Sequence, residues 1–310
     1  MQDLLTLGFL AALLGAAWRL ATPLIFAAIG EVFSERAGIL NIGLEGTMLM
    51  GAFCGFAATF ATGHIGLGLM AGIAAGMIFG LIFAFFTITV KANQIVVGAA
   101  INLLGLGLTS FLFRTYYVST GRGVEIAAPV RIPWLSDLPF FGQAVFRQNP
   151  IVYSTVIVTI LATILLYRSS FGLTLRAVGD HPKAVDVAGR SVAAYRYGAV
   201  LLGTGLAGLG GAFLTLGHSN QFVEGITSGR GFIALAVVIF ARWSPVGAFF
   251  VSLLFGLFYA LQLQLQAQPM GNVPYQVFQA LPYLMTIIAV VVVGGKTVAP
   301  RSLGVPYNER

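Results

Sequence analysis

Residues 66–90 read GLGLMAGIAAGMIFGLIFAFFTITV, twenty-five positions in a row without a charged side chain. Lipid offers no partner to an exposed backbone, so a run of about 20 apolar residues crosses a bilayer as a helix. The stretch is read as a membrane span. Gly68, Gly72, Gly76 and Gly80 recur along it every fourth residue, which places them on one face where a neighbouring helix can come close.

Outward from this span the same pattern repeats. Ten apolar segments are legible, at 4–18, 20–33, 44–62, 66–90, 94–113, 151–167, 196–217, 231–241, 246–266 and 279–294. The second and eighth are short, as for partial spans or helices packed inside a bundle. The expected fold is all-α: a polytopic membrane bundle of about eight to ten helices, forming a single transmembrane domain over 1–310. The start, Met1-Gln2-Asp3, puts no basic residue ahead of the first apolar run, so that run is expected to be an uncleaved helix.

Composition agrees. Hydrophobic residues make up 58% of the chain and charged residues 9%, against about 25% charged in a soluble domain. The net charge of +7 does not mark a nucleic-acid binder, because the seventeen Lys and Arg are scattered between apolar blocks. They sort by side instead. With both termini placed in the cytoplasm, six (Arg19, Arg114, Arg122, Arg131, Arg147 and Arg230) fall outside and the other eleven inside, which obeys the positive-inside rule. Residues 114–150 then form an extracytoplasmic loop and 168–196 a cytoplasmic one, in a multi-pass protein of the inner membrane.

Several apparent signatures carry no chemistry. Gly203-Thr204-Gly205-Leu206-Ala207-Gly208 fits the dinucleotide fingerprint but lies inside a span, without the strand that motif needs. Gly294-Gly295-Lys296-Thr297 resembles the end of a phosphate loop, yet Val290 stands where its first glycine belongs. A lone Cys54 and three histidines far apart in sequence build neither a disulfide framework nor a metal site. No catalytic residues, metal ligands or resident cofactor are therefore expected, and the chain is not read as an enzyme.

Two polar segments stand out. In 33–46, Asn41 and Glu45 are four residues apart, and a carboxylate near membrane depth is costly and usually functional. The plainer use of the same groups is to cap the third helix. In the loop 168–196, the stretch Asp180 to Gly189 has an acid, then Pro182, at its start and Gly189 just past its end, the start and stop chemistry of a short helix. Two turns are marginal alone. Its small apolar residues Ala184, Val185, Val187 and Ala188 suit docking, either on the bundle or on a soluble partner.

Residues 33–50, 175–192 and 231–245, in this order, resemble permeases of the branched-chain amino-acid, ribose and simple-sugar class of ABC importers, and among them the nucleoside permeases that work with lipoprotein binding proteins. The resemblance covers nearly the whole chain. It implies a permease subunit of an ATP-driven importer, paired with a second permease that is a paralogue or an identical copy. It further implies separate ATP-binding subunits, which bind the ATP, and an external substrate-binding lipoprotein. The implied contacts to the ATP-binding subunit are Arg176, Gly179, Asp180, Pro182, Ala184, Asp186, Ala188 and Gly189. Asp180-His181 stands where Glu-Asn is common, and Arg190 where an aliphatic residue is common.

The substrate must be sought in the spans. Charged side chains are scarce in their middles, which argues against a charged solute; the resemblance implies nucleosides or a similar neutral polar solute, with a simple sugar as the alternative. Asn41, Glu45, Asn93, Gln94, Asn102, Gln262 and Gln266 are the candidate path residues. Gln262 and Gln266 share one face of the ninth segment, and Gln264 and Gln268 the opposite face; equally, these glutamines mark the outer interface. An ion-coupled secondary transporter would instead carry paired ionisable groups at the midplane, and no such relay is legible.

Overall fold

A computed structural model describes residues 7–118, 123–131, 133, 135, 136, 141–266, 280, 284, 287 and 298–307. Eleven helices make up the described elements: α1 (Leu7–Arg36), α2 (Leu44–Thr62), α3 (Ile65–Ala84), α4 (Gln94–Tyr116), α5 (Phe141–Ala144), α6 (Pro150–Arg168), α7 (Ser170–Asp180), α8 (Pro182–Val187), α9 (Val192–Phe213), α10 (Arg230–Phe240) and α11 (Pro245–Gln266). Two of them run on into π-helical turns, α3 over Phe85–Thr89 and α9 over Leu214–Ser219. Among the described residues seven helices are long and apolar enough to cross a membrane, and α10 is a shorter apolar one. The protein is an all-helical, multi-pass membrane bundle.

The segments 4–18 and 20–33 are not two spans. They form one 30-residue helix, α1, which runs through both Arg19 and Pro23. Arg19 donates from Nη1 to the Gln148 side chain at 3.1 Å, so its charge has a polar partner without a loop around it. Proline is tolerated in a membrane helix when neighbours satisfy the freed backbone, and here Pro23 is fully buried in the bundle. Consequently Leu7 lies at one end of the bundle, while residues 298–307 lie at the other, against Gly38 and Gly179. The expectation that both ends of the chain share a side does not hold for these described residues. The segment 279–294 lies almost wholly outside them, as does Gly294 to Thr297.

α1 and α9 form the centre, and glycine sets how closely their neighbours approach. Gly30 faces Gly203, and Gly51 and Gly72 face Gly208. Gly76 and Gly80 pack on Thr204. The fingerprint-like stretch 203–208 is thus a helix-packing surface, met from one side by the glycine row of α3. A side chain at Gly208 would meet the Gly72 carbonyl, while one at Gly66 meets nothing within 4 Å. Gly208→Ala is expected to destabilise the purified protein by about 1–3 kcal/mol through overpacking, and Gly66→Ala to leave it unchanged or slightly more stable. Thermal unfolding of the two variants side by side tests this; equal midpoints would remove glycine packing as the cause.

Candidate functional site

At the end that carries residues 298–307, α7 and α8 form a bracket outside the main bundle. The expected helix over Asp180 to Gly189 is shorter at both ends: Asp180 closes α7, His181 breaks the chain, and α8 covers Pro182–Val187. Gly189 takes φ +75°, and the Gly189 and Arg190 amides bond back to the Asp186 and Val185 carbonyls, a glycine-capped helix end. Val185 is the inward anchor, 6% exposed against Val178 and Val192. Ala184, Val187 and Ala188 face outward, and Val187 is 89% exposed.

The other residues expected to contact a partner here are engaged within the chain. The Arg176 guanidinium lies 5.2 Å from the Tyr167 ring centroid. The Gly179 carbonyl accepts from the Ser302 amide at 2.8 Å and from its hydroxyl at 2.6 Å. Asp180 accepts from the Arg301 amide, and Asp186 accepts from the Tyr307 hydroxyl at 2.8 Å. The segment 298–307 therefore straps the bracket to the bundle, a role the sequence reading did not assign to it.

Deeper in the bundle two chain breaks meet. Residues 37–43 link α1 to α2, and 220–229 precede α10, a half-length helix. Non-helical backbone at membrane depth must find its partners within the protein. Asn102, eight residues or about 12 Å along α4, accepts from the Gly46 amide at 2.8 Å and donates to the Ile42 carbonyl at 2.9 Å. Gln94 accepts from the Leu40 amide at 2.8 Å, Asn41 from the Gly43 amide at 3.0 Å, and Asn93 caps α4 through the Ile95 amide at 2.9 Å.

Glu45 serves the second break. Its Oε1 accepts from the Thr227 hydroxyl at 2.5 Å and the Gly229 amide at 2.8 Å, and its Oε2 from the Gly231 amide at 2.7 Å. A carboxylate at the first turn of α10 satisfies orphan donors and faces the positive end of the helix dipole. The hydrogen bonds of Asn41, Glu45, Asn93, Gln94 and Asn102 named above run to groups of the chain itself, but Gly43 at the start of α2 has no side-chain cap, and Glu45 caps α10 rather than the third helix; the side-chain nitrogens of Asn41 and Gln94 have no partner among the described residues.

On the opposite side of the break, a cavity of about 430 Å³ opens toward the other end of the bundle. Its wall includes His218 on the π turn after α9, Ser228 and Arg230 at the start of α10, and Tyr259 and Gln262 one turn apart on α11. The Arg230 guanidinium lies 5.5 Å from the Tyr259 ring centroid and donates to the Ile226 and Thr227 carbonyls at 3.1 Å. Of the two glutamines read as sharing a face, Gln262 lines this cavity, while Gln266 is the last residue of α11.

Nearby, Arg114 and Glu224 make a two-pronged ion pair, both bonds 2.7 Å long. The Arg114 guanidinium holds the Glu224 carboxyl below the usual carboxylate range.

Three charged residues that the span reading passed over are buried in the bundle: Glu31 at 0%, Glu35 at 2% and Arg196 at 1% exposure. All three stand within two turns of a helix end, not in the middles of the spans. Glu31 accepts from the Asn41 amide at 2.8 Å and Glu35 from the Trp243 indole, so both brace the polypeptide around the first break. Two acids four residues apart in an apolar helix were the available signal.

Comparison with known proteins fits this architecture. The sequence profile described as "Branched-chain amino acid transport system / permease component" matches residues 8–297. The chain is 39% identical to the nucleoside ABC transporter permease protein NupC of Lactococcus lactis subsp. cremoris, over 93% of each chain. It is 38% identical to the guanosine ABC transporter permease protein NupQ of Bacillus subtilis, again over 93% of each. It is 40% identical, over 91% of each, to TsgC13 of Haloferax volcanii, a permease protein provisionally assigned to a glucose ABC transporter. Among solved structures, PsaBC from Streptococcus pneumoniae in complex with Fab superposes with a TM-score of 0.50 at 17% identity, over 95% of this chain and 92% of that one, a likeness of fold. A profile match over nearly the full length, on a bundle with a bracket at one end and a polar cavity toward the other, places this chain in the branched-chain amino acid transport system permease family.

Proposed function

We propose that this chain is the membrane permease of an ATP-driven importer for nucleosides, with ATP bound and hydrolysed by a separate subunit docked on α8. The observation that carries this is the outward apolar face of Ala184, Val187 and Ala188 on a helix otherwise anchored within the chain. Solvent-exposed small residues on a rigid bracket suit a flat, dry contact with a partner. The α8 end faces the cytoplasm and the loop 114–150 faces outward. Arg19 bonds to Gln148 of that loop and so stays with the outer group. A second permease subunit and an external binding lipoprotein complete the importer.

The outer cavity supplies the solute contacts. Its aromatic ring, amide, hydroxyl and guanidinium suit a neutral solute with a flat base and sugar hydroxyls, and no carboxylate lines it among the described residues. The names of NupC and NupQ favour nucleosides, and that of TsgC13 favours a sugar. Uptake of radiolabelled guanosine, in cells carrying the companion subunits, tests both the reading and the cavity. Uptake is expected to stop when the ATP-binding subunit is inactivated, and guanosine should outcompete glucose. Gln262→Ala is expected to raise KM about tenfold, the equivalent of one lost hydrogen bond, at unchanged membrane abundance. Uptake that persists on an ion gradient would reject the ATP-driven mechanism, and displacement by glucose alone would select the sugar reading.

A further inference from the structure

The α8 end holds a second polar feature, which neither the solute path nor the partner face uses. Arg196, on the first turn and a half of α9, donates from Nε to the Ala37 carbonyl at 3.2 Å and from Nη1 to the Val305 carbonyl at 3.3 Å. Its Nη2 has no hydrogen-bond partner among the described residues. No described carboxylate pairs with this guanidinium, although it is 1% exposed. A buried charge is costly unless an opposite charge lies beside it.

Two cavities, of about 240 and 330 Å³, share Arg196 and Tyr307 as walls. Lys91 lines the first and Lys183 the second, and neither cavity is lined by Asp or Glu. The Asp186 carboxylate touches this wall through its bond from the Tyr307 hydroxyl but lines neither cavity. The first cavity also takes in Val192 and Ala193, whose backbone belongs to the N-terminal turn of α9. Across the two cavities, which meet at Arg196 and Tyr307, two lysines, a guanidinium and a helix start stand in the walls without an acid of the described chain among them.

We propose that these paired cavities bind a phosphate-bearing anion, with Arg196 as the floor and Lys91 and Lys183 as the rims. Phosphate matches the donor set: its several oxygens accept from a guanidinium and two ammonium groups together, and its charge offsets theirs. The same chemistry arrives either as the headgroup of an anionic lipid or as a soluble phosphate. The surroundings suit a lipid: Phe85, Phe86 and Val90, on or next to the π turn beside Lys91, are 49%, 44% and 53% exposed, an apolar surface on which acyl chains can lie.

The test uses the purified full chain in neutral detergent and reads the thermal unfolding midpoint as two probes are titrated. One probe is phosphatidylglycerol, with phosphatidylcholine as the matched lipid; the other is inorganic phosphate, with chloride at equal ionic strength. At least one probe is expected to raise the midpoint with saturation. The half-saturating concentration should rise about tenfold in Lys91→Gln and in Lys183→Gln, the loss of one charged hydrogen bond each, and should stay unchanged in Arg168→Gln. Stabilisation by phosphatidylglycerol alone identifies a headgroup site, and stabilisation by inorganic phosphate identifies a soluble ligand. Lys91 and Lys183 are exposed, so these variants spare the core. If neither probe shifts the midpoint, or if the Lys91→Gln/Lys183→Gln double variant responds like the parent chain, the site does not exist. Binding to the isolated chain needs neither ATP nor solute, so this outcome is independent of the transport assays.

Discussion

Ala184→Arg and Ala188→Arg are each expected to release the ATP-binding subunit and abolish uptake while leaving the permease at normal levels in the membrane. Both positions are exposed on α8, whose hold on the bundle comes from Val185. Neither new side chain would displace a packed neighbour. A bulky cation forced into a dry contact without a partner costs about 3–5 kcal/mol, which weakens docking by roughly two to four orders of magnitude. Pull-down of the ATP-binding subunit together with guanosine uptake measures the effect. Gly66→Ala, in open space at the far end, serves as the control. Loss of docking also identifies this end as cytoplasmic, since that is where ATP is hydrolysed. Retention of both docking and uptake by the two variants would show that α8 is not the coupling element.

Glu45→Ala is expected to be the most destabilising single change in the polar interior, at about 3–5 kcal/mol. It leaves the Thr227 hydroxyl and the Gly229 and Gly231 amides without their acceptor, and an unmade bond costs about 1–3 kcal/mol for each buried donor. Glu45→Gln keeps one acceptor oxygen and should cost roughly half as much. Thermal unfolding in detergent, with uptake measured in parallel, separates the two uses of this carboxylate. A large fall in midpoint marks a cap of α10. Lost uptake at an unchanged midpoint would instead make Glu45 a solute contact and overturn the capping assignment.

Much of the fold follows from one-dimensional pattern, because a bilayer permits little besides helices of adequate length. The spans at 44–62, 94–113 and 246–266 fall within a few residues of α2, α4 and α11. The reading failed where local chemistry mimicked a boundary. Arg19 and Pro23 look like a turn, yet Gln148, 129 residues away, supplies the partner that keeps α1 whole. The candidate site was half legible. Gly189 and Pro182 declare a short helix by residue type, so its place could be read. The strap over 298–307 and the cavity behind Gln262 depend on contacts between residues far apart in sequence, which no spacing reveals. Asn41, Gln94 and Asn102 show the same limit from the other direction: a buried amide in an apolar stretch reads alike whether it greets a solute or a backbone.

The strap over 298–307 also orders events during synthesis. α7 and α8 leave the ribosome more than a hundred residues before Ser302, Val305 and Tyr307, which fasten them through Gly179, Arg196 and Asp186. Until then the bracket is held only by its packing on α1, α6 and α9, with Val185 seated against Val178 and Val192. A change to Ser302, Val305 or Tyr307 would act on the fastening of the bracket while leaving the spans' own packing untouched.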